Sequence, residues 1–227
     1  MKQKILIFDS SSIINFVMNG LEETLIELKK VFKGKFIITH SVKREVIDRP
    51  LEIKQFELGA LKVKSLIDNN IFELPESIGI EHNLLAEKTQ EILRQANKVY
   101  SAENEFMHII DAGEASCLAL SLIASGKDIE NTIVIDERTT RMLGEKPENL
   151  KKLFERKFHT NIKMFPDNLP NISKIKFIRS SELVYIAFKK NIISLKNGNV
   201  LDALLYATKF KGSSISREEI EEIKNLA

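Results

Sequence analysis

The sequence predicts an α/β domain with a mostly parallel sheet and helices on both faces, a three-layer Rossmann-like arrangement. Three short segments with a continuous apolar centre, residues 4–9, 35–40 and 131–137, read as buried parallel strands. Stretches of helical periodicity separate them, and strands alternating with helices build parallel sheets. The first and third runs end in acids, at the carboxyl ends of strands where ligands bind in open α/β sheets.

Each element follows from a local pattern. Residues 4–9 (Lys-Ile-Leu-Ile-Phe-Asp) form the first strand, and a helix begins among Ser10, Ser11 and Ser12, any of which can cap it through its hydroxyl. Leu21, Leu25, Leu28 and Phe32 recur at helical spacing up to Gly34. The second strand, 35–40, leads into a helix that Ser41 can cap and that carries Val42, Glu45 and Val46 until Pro50 interrupts it. Residues 53–66 read as a helix and 71–74 as an edge strand. A long, mostly helical stretch covers 81–110. The Asp111-Ala112-Gly113-Glu114 segment breaks the pattern and opens an Ala- and Leu-rich helix over 115–124. After the third strand, 139–158 is helical and basic, 161–171 is a loop containing Pro166 and Pro170, 174–178 is a strand and 182–188 a helix. Asn197-Gly198-Asn199 is a turn, and 200–209 and 217–226 are terminal helices. Leu201, Leu204, Leu205 and Thr208 form a core-packing stripe, with Asp202 solvated. Residues 1–195 are expected to make the sheet domain and 196–227 a helical extension packed on it.

Composition narrows the function classes. At 227 residues the chain is one large domain, or one domain with an appendage. Hydrophobic residues at 43% and charged residues at 29% exclude global disorder. The single Cys117, expected in the core, excludes a disulfide framework and a multi-cysteine zinc site, and the four scattered histidines argue against a histidine-rich metal centre. No apolar run is long enough to span a membrane, and the N-terminal run stops at Asp9, too short for a signal-peptide core, so a cytoplasmic protein is expected. Up to Glu137 there are 16 Lys and Arg against 22 Asp and Glu; from Arg138 onward there are 18 against 10. An acidic half joined to a basic half suits a site that holds cations beside phosphates.

Asp9 and Asp136 terminate strands, Glu45 lies five residues after His40, and Asp111 and Glu114 flank Gly113. Hard carboxylate oxygens converging without His or Cys suit Mg²⁺ or Mn²⁺. Taken singly, Asp9 reads as a cap of the next helix, Glu45 as a solvated helix residue, Asp111 and Glu114 as partners of a helix dipole, and Asp136-Glu137-Arg138 as a polar turn. The basic set is Arg138 and Arg141 after the last acid, then Lys151, Lys152, Arg156 and Lys157 on one helix, with Lys174, Lys176 and Arg179 around a strand. These suit RNA phosphates, or a solvated helix face.

The order of these acids resembles the PIN-domain family. The matching segments are Phe8-Asp9-Ser10-Ser11-Ser12, Thr39-His40-Ser41-Val42-Lys43-Arg44-Glu45, Asp111-Ala112-Gly113-Glu114-Ala115 and Val134-Ile135-Asp136-Glu137-Arg138. The last two are similar to PIN proteins with an Asp-x-Gly-Glu-Ala … Asp-Glu-Arg pattern, and the resemblance covers about residues 4–143. It implies a Rossmann-like sheet with Asp9 central and a Mg²⁺- or Mn²⁺-dependent endoribonuclease. Asp9, Glu45, Glu114 and Asp136 would be the metal-binding acids, Asp111 would assist Glu114, and Ser11 would orient a metal-bound water or the first Asp. Single-stranded RNA would be the substrate, with an antitoxin or a second copy of the chain as protein partner and no membrane. The chain is longer than compact toxin PIN proteins, with added helix before Asp111 and a tail after Asn191. A non-catalytic PIN-like protein that binds RNA or a partner is the alternative. A haloacid dehalogenase-type phosphatase ranks low, because Ser11 stands where its second Asp is needed. No Gly-x-Gly-x-x-Gly marks a dinucleotide site.

Overall fold

The computed structural model describes residues 2–195 and 198–226. The chain runs β1 (Lys4–Phe8), α1 (Ser10–Met18), α2 (Glu22–Phe32), β2 (Lys35–Ile37) and α3 (His40–Lys43), which continues into a π-helical turn, Arg44–Asp48. A 3₁₀ turn at Pro50–Glu52 precedes α4 (Lys54–Asp68) and β3 (Phe72–Glu73). A second 3₁₀ turn, Pro75–Ile78, leads to α5 (His82–Ala96), β4 (Tyr100–Ala102), β5 (Glu105–Phe106) and α6 (Ala112–Gly126). Then come β6 (Glu130–Val134), α7 (Arg138–Glu145), α8 (Pro147–Phe158), β7 (Ile162–Met164), β8 (Phe177–Ile178), α9 (Ser180–Lys189), α10 (Val200–Phe210) and α11 (Arg217–Asn225).

The main sheet has the order β3-β2-β1-β6-β8, and every pairing in it is parallel. β1 is central, which explains its unbroken apolar run: Ile5, Ile7 and Phe8 are all buried. The chain leaves β1 toward β2 and β3, then returns to β6 on the opposite side. The carboxyl ends of β1 and β6 therefore flank the crevice where the strand order reverses. On one side α6 packs against β1 and β6 with α3 and α5 beside it; α1 packs with α4 and α9. The predicted three-layer α/β class is the observed one.

Several local expectations are corrected. α1 is capped by Asp9, whose Oδ2 accepts the Ser11 N–H at 3.0 Å, and not by a serine. α3 is capped by Thr39 rather than Ser41, through the Val42 N–H at 3.2 Å. The expected long helix over 81–110 stops at Ala96, and a small antiparallel sheet, β5-β4-β7, follows. Glu103 and Asn104 both have positive φ, 50° and 68°, which turns β4 tightly back into β5. The expected loop over 161–171 supplies β7, which pairs with β4 with Tyr100 opposite Met164. That partnership spans about 60 residues of chain, so neither segment shows it locally.

The helical stretch 139–158 divides at Pro147, the first residue of α8, where a missing N–H costs nothing. α10 and α11 close a small second core of Leu201, Leu205, Ile215 and Ile220 against Tyr185 and Phe188 of α9. Asp202, expected to be solvated, pairs with Lys224 at 2.7 Å. Lys196 and Asn197, and with them the predicted domain boundary and the start of the Asn197 turn, lie outside the described residues. No described helix is long and apolar enough to cross a membrane.

Candidate metal centre

Asp9 is the residue after β1 and is almost fully buried, at 1% exposure. Its Oδ2 accepts the Ser11 N–H at 3.0 Å and the Ser11 hydroxyl at 2.6 Å. Its Oδ1 is buried with no hydrogen-bond partner. An unmet buried acceptor costs about 1–3 kcal/mol. Burial pushes the Asp9 carboxyl up to about 6, with the Ser11 bonds pulling the other way and Glu45 adding repulsion. The Ser11 hydroxyl also accepts the Asp136 N–H at 3.2 Å, so it orients Asp9 from the neighbouring strand end.

Glu45 sits in the π-helical turn that continues α3. Such a turn inserts one residue per turn and re-aims the side chains that follow, a device common at functional sites. Burial raises the Glu45 carboxyl above its ordinary range, Ser10 and the Gly113 N–H offset part of this, and Asp111 adds repulsion. Gly113 has no room for a side chain: a Cβ there would lie 2.5 and 2.6 Å from the two Glu45 carboxylate oxygens. The glycine between the two acids of the third motif therefore admits Glu45 to the crevice. Gly113→Ala is expected to push the Glu45 carboxylate aside. The flexible side chain should keep the stability loss to about 1–2 kcal/mol, and a melting curve of the variant beside the wild type checks this; a loss well above that range would show that Glu45 cannot swing aside.

Glu114 opens the first turn of α6, and its Oε2 accepts the Asp111 N–H at 2.7 Å. Burial pushes its carboxyl up to about 8; the Asp111 bond offsets part of that, while Asp9 and Glu137 add repulsion. Asp111 faces outward: its side chain is 77% exposed and its Oδ1 meets His108 Nε2 at 2.7 Å. Asp9 thus lies near enough to Glu45 and to Glu114 to feel the charge of each, although among the described residues the ligand atoms of these three acids do not all come within 4.8 Å of one another, and Asp111 stands at the rim.

Asp136 is placed differently. It is buried, its Oδ2 accepts Asn15 Nδ2 at 2.9 Å and its Oδ1 accepts the Ser180 N–H at 2.9 Å. Both oxygens brace α1 and the start of α9. The register supplies the reason. Phe8 lies beside Val134, so Asp9 is level with Ile135, and Asp136 is one step further along. Adjacent residues of an extended chain point to opposite faces. Glu137, two steps beyond Ile135, returns to the face of Asp9 and lies close enough to Glu114 to repel it. Its Oε2 caps α7 through the Thr140 N–H at 2.7 Å. Sequence reasoning missed Glu137 as a site acid; its signal was the second acid of the Asp-Glu-Arg triplet. Among the described residues no Lys or Arg forms an ion pair with Asp9, Glu45, Glu114 or Glu137.

Directly after Glu137 the surface turns basic. A groove of about 610 Å³ is lined by Arg138, Arg141, Lys146, Lys152, Arg156 and Arg179, with Glu145 and Glu219 on its walls. Arg138 is exposed. Arg141 Nη2 donates to Ser214 Oγ at 2.6 Å, and its Nε is buried without a partner. Burial and the nearby Arg179 pull the Arg141 guanidinium below its usual range. Arg179 is held by Glu182 at 2.8 Å and Glu219 at 2.9 Å. Of the predicted basic helix, Lys152 and Arg156 line the groove, while Lys151 pairs with Glu155 at 3.7 Å and Lys157 is exposed beside the Phe158 ring.

Two of the scattered histidines meet after all. His40, Glu76 and His82 form a carboxylate–histidine cluster at the outer end of β2, their candidate ligand atoms all within 4.8 Å of one another. Among known proteins, no family model, no curated protein and no solved structure matches this chain.

Proposed function

We propose that the protein is a divalent-metal-dependent endoribonuclease of the PIN type, hydrolysing RNA phosphodiester bonds with Mg²⁺ or Mn²⁺ held by Asp9, Glu45 and Glu114. One observation carries the reading. Among the described residues, a buried Asp9 oxygen has no hydrogen-bond donor and neighbours carboxylates raised by burial and mutual repulsion; none of them forms an ion pair, and the charge of Arg49 offsets only part of the rise at Glu45. Such a cluster fits a hard cation, which satisfies the orphaned oxygen and relieves the repulsion. When bound, the cation lowers the pKa of water and neutralises charge on the phosphoryl oxygens. Ser11 holds the Asp9 carboxylate in one orientation. Glu137 lies beside Glu114 and, as the cap of α7, fixes where the basic groove begins. Asp136 braces the strand end, and Glu45 and Glu114 approach Asp9 from the π-helical turn and from the first turn of α6.

Arg138, Lys152 and Arg156 then supply phosphate contacts in the basic groove, whose lining begins at Arg138, the residue after Glu137. RNA incubated with Mn²⁺ should be cut internally, and EDTA should stop the cutting. The Lys152→Gln/Arg156→Gln double variant should bind RNA more weakly and with a flatter salt dependence. The log–log slope should fall by up to about 0.7 per lost single-strand phosphate contact. Lys151→Gln/Lys157→Gln should leave the slope unchanged. RNA that binds with a steep salt slope but is never cut, with either metal, would replace the nuclease reading by the non-catalytic one.

A further inference from the structure

We propose that His40, Glu76 and His82 form a second metal site, separate from the acids, that takes a divalent transition-metal ion of the zinc class. The three residues come from three elements. His40 opens α3 directly after the Thr39 cap, Glu76 sits in the 3₁₀ turn after β3, and His82 is the first residue of α5. Residues so distant in sequence meet because β2 and β3 are neighbours in the sheet and α3 and α5 start from the same sheet edge.

The geometry is close to that of a tripodal site. His40 Nε2 lies 2.7 Å from Glu76 Oε1, and the two imidazoles sit edge to face with centroids 4.6 Å apart. All three ligand atoms lie within 4.8 Å. Tetrahedral bonds of about 2.0–2.1 Å place neighbouring ligand atoms about 3.4 Å apart. Reaching that spacing requires the His40–Glu76 pair to open by about 0.7 Å and His82 to swing in by up to about 1.4 Å, both through broad terminal torsions of exposed or half-exposed side chains.

The donor set decides the class of ion. Two imidazoles and one carboxylate match Zn²⁺ and its borderline neighbours, whereas Mg²⁺ prefers an all-oxygen shell. Three protein ligands leave a position for water, and both histidines line a groove of about 380 Å³ between α3 and α5, so the site stays accessible to solvent. Cys117 and the acids of the crevice play no part in it.

The test is a Zn²⁺ titration of the full chain after EDTA treatment and dialysis, with a chromophoric zinc chelator as competitor and millimolar Mg²⁺ present. One Zn²⁺ per chain should bind with a dissociation constant tighter than about 10 μM. His82→Gln and His40→Gln should each weaken binding at least tenfold. Glu76→Gln should weaken it less, and His108→Gln, which alters the separate exposed pair with Asp111, should not change it. Asp9→Asn should retain the bound Zn²⁺, which separates this site from the acid cluster whether or not that cluster cuts RNA. Because His82 and Glu76 are exposed, circular dichroism of these variants should match the wild type. Weaker binding than the stated limit, wild-type affinity in His82→Gln, or loss of the ion in Asp9→Asn would each overturn the proposal.

Discussion

Asp9→Asn is expected to abolish Mn²⁺-dependent RNA cleavage, lowering the rate by about three orders of magnitude, or about 4 kcal/mol of lost transition-state stabilisation. The substitution keeps the shape of the side chain at the end of β1 and removes only its charge. The Ser11 N–H and hydroxyl can still be received by the remaining carbonyl oxygen, so the cap of α1 survives. The fold should therefore persist, and the metal-free variant should melt no lower than the wild type, since a buried carboxylate facing Glu45 has been neutralised. Asp111→Asn is the matched control. It removes an equal charge from the neighbouring motif, but from a side chain that faces solvent and His108, and it should leave the rate within about twofold, the scale of a solvated charge. An Asp9→Asn enzyme as fast as the wild type would overturn the proposed mechanism; an Asp111→Asn enzyme slower than Glu114→Gln would exchange the roles of those two acids.

Metal and pH should be linked through the same carboxyls. Asp9 is raised from 3.8 to about 6 and Glu114 from 4.5 to about 8, both mainly by burial. Between the unfolded and folded values the folded chain holds the extra protons, so the free energy of unfolding falls as pH rises. The stabilising protonated forms are fully present below about pH 4, and their contribution declines until about pH 8 as the folded values are passed. At about 1.4 kcal/mol per unit this amounts to a few kcal/mol in the metal-free protein. Other groups titrate in this window, so the readout is the difference between wild type and Glu114→Gln in EDTA. That difference should shift against the wild type from pH 5 to pH 8. A cation must displace these protons to bind, so Mn²⁺ should raise the melting temperature more at pH 8 than at pH 5. A larger Mn²⁺ effect at pH 5, or a wild-type advantage over Glu114→Gln that grows with pH, would show that these acids do not hold the ion.

The basic groove depends on the end of the chain more than the sequence suggested. Arg141 and Arg179, both members of the basic half, are fixed by Ser214 and Glu219 of the C-terminal segment. Their charges are thus partly committed within the fold, and Arg138, Lys146, Lys152 and Arg156 are the basic residues left facing the groove. A count of charges along the chain registers all of these residues equally, because it carries no information about which acids fold back onto which bases.

The sequence by itself determined the α/β class, the central position of residues 4–8 and the crowding of acids at strand ends. These features are local: an apolar run of five residues and an acid after it need no distant partner to be read. The tertiary structure alone decided which acids face one another. The alignment of Phe8 with Val134 turns Asp136 toward Asn15 and Ser180 and brings Glu137 to the side of Glu114. The π-helical turn and the bare Cα of Gly113 together bring Glu45 into the crevice. The pairing of β4 with β7 and the meeting of His40 with His82 likewise join segments that share no local pattern. The reason is the two-residue period of extended chain: a register change of one residue reverses every side chain, and that register is set by packing between segments more than a hundred residues apart.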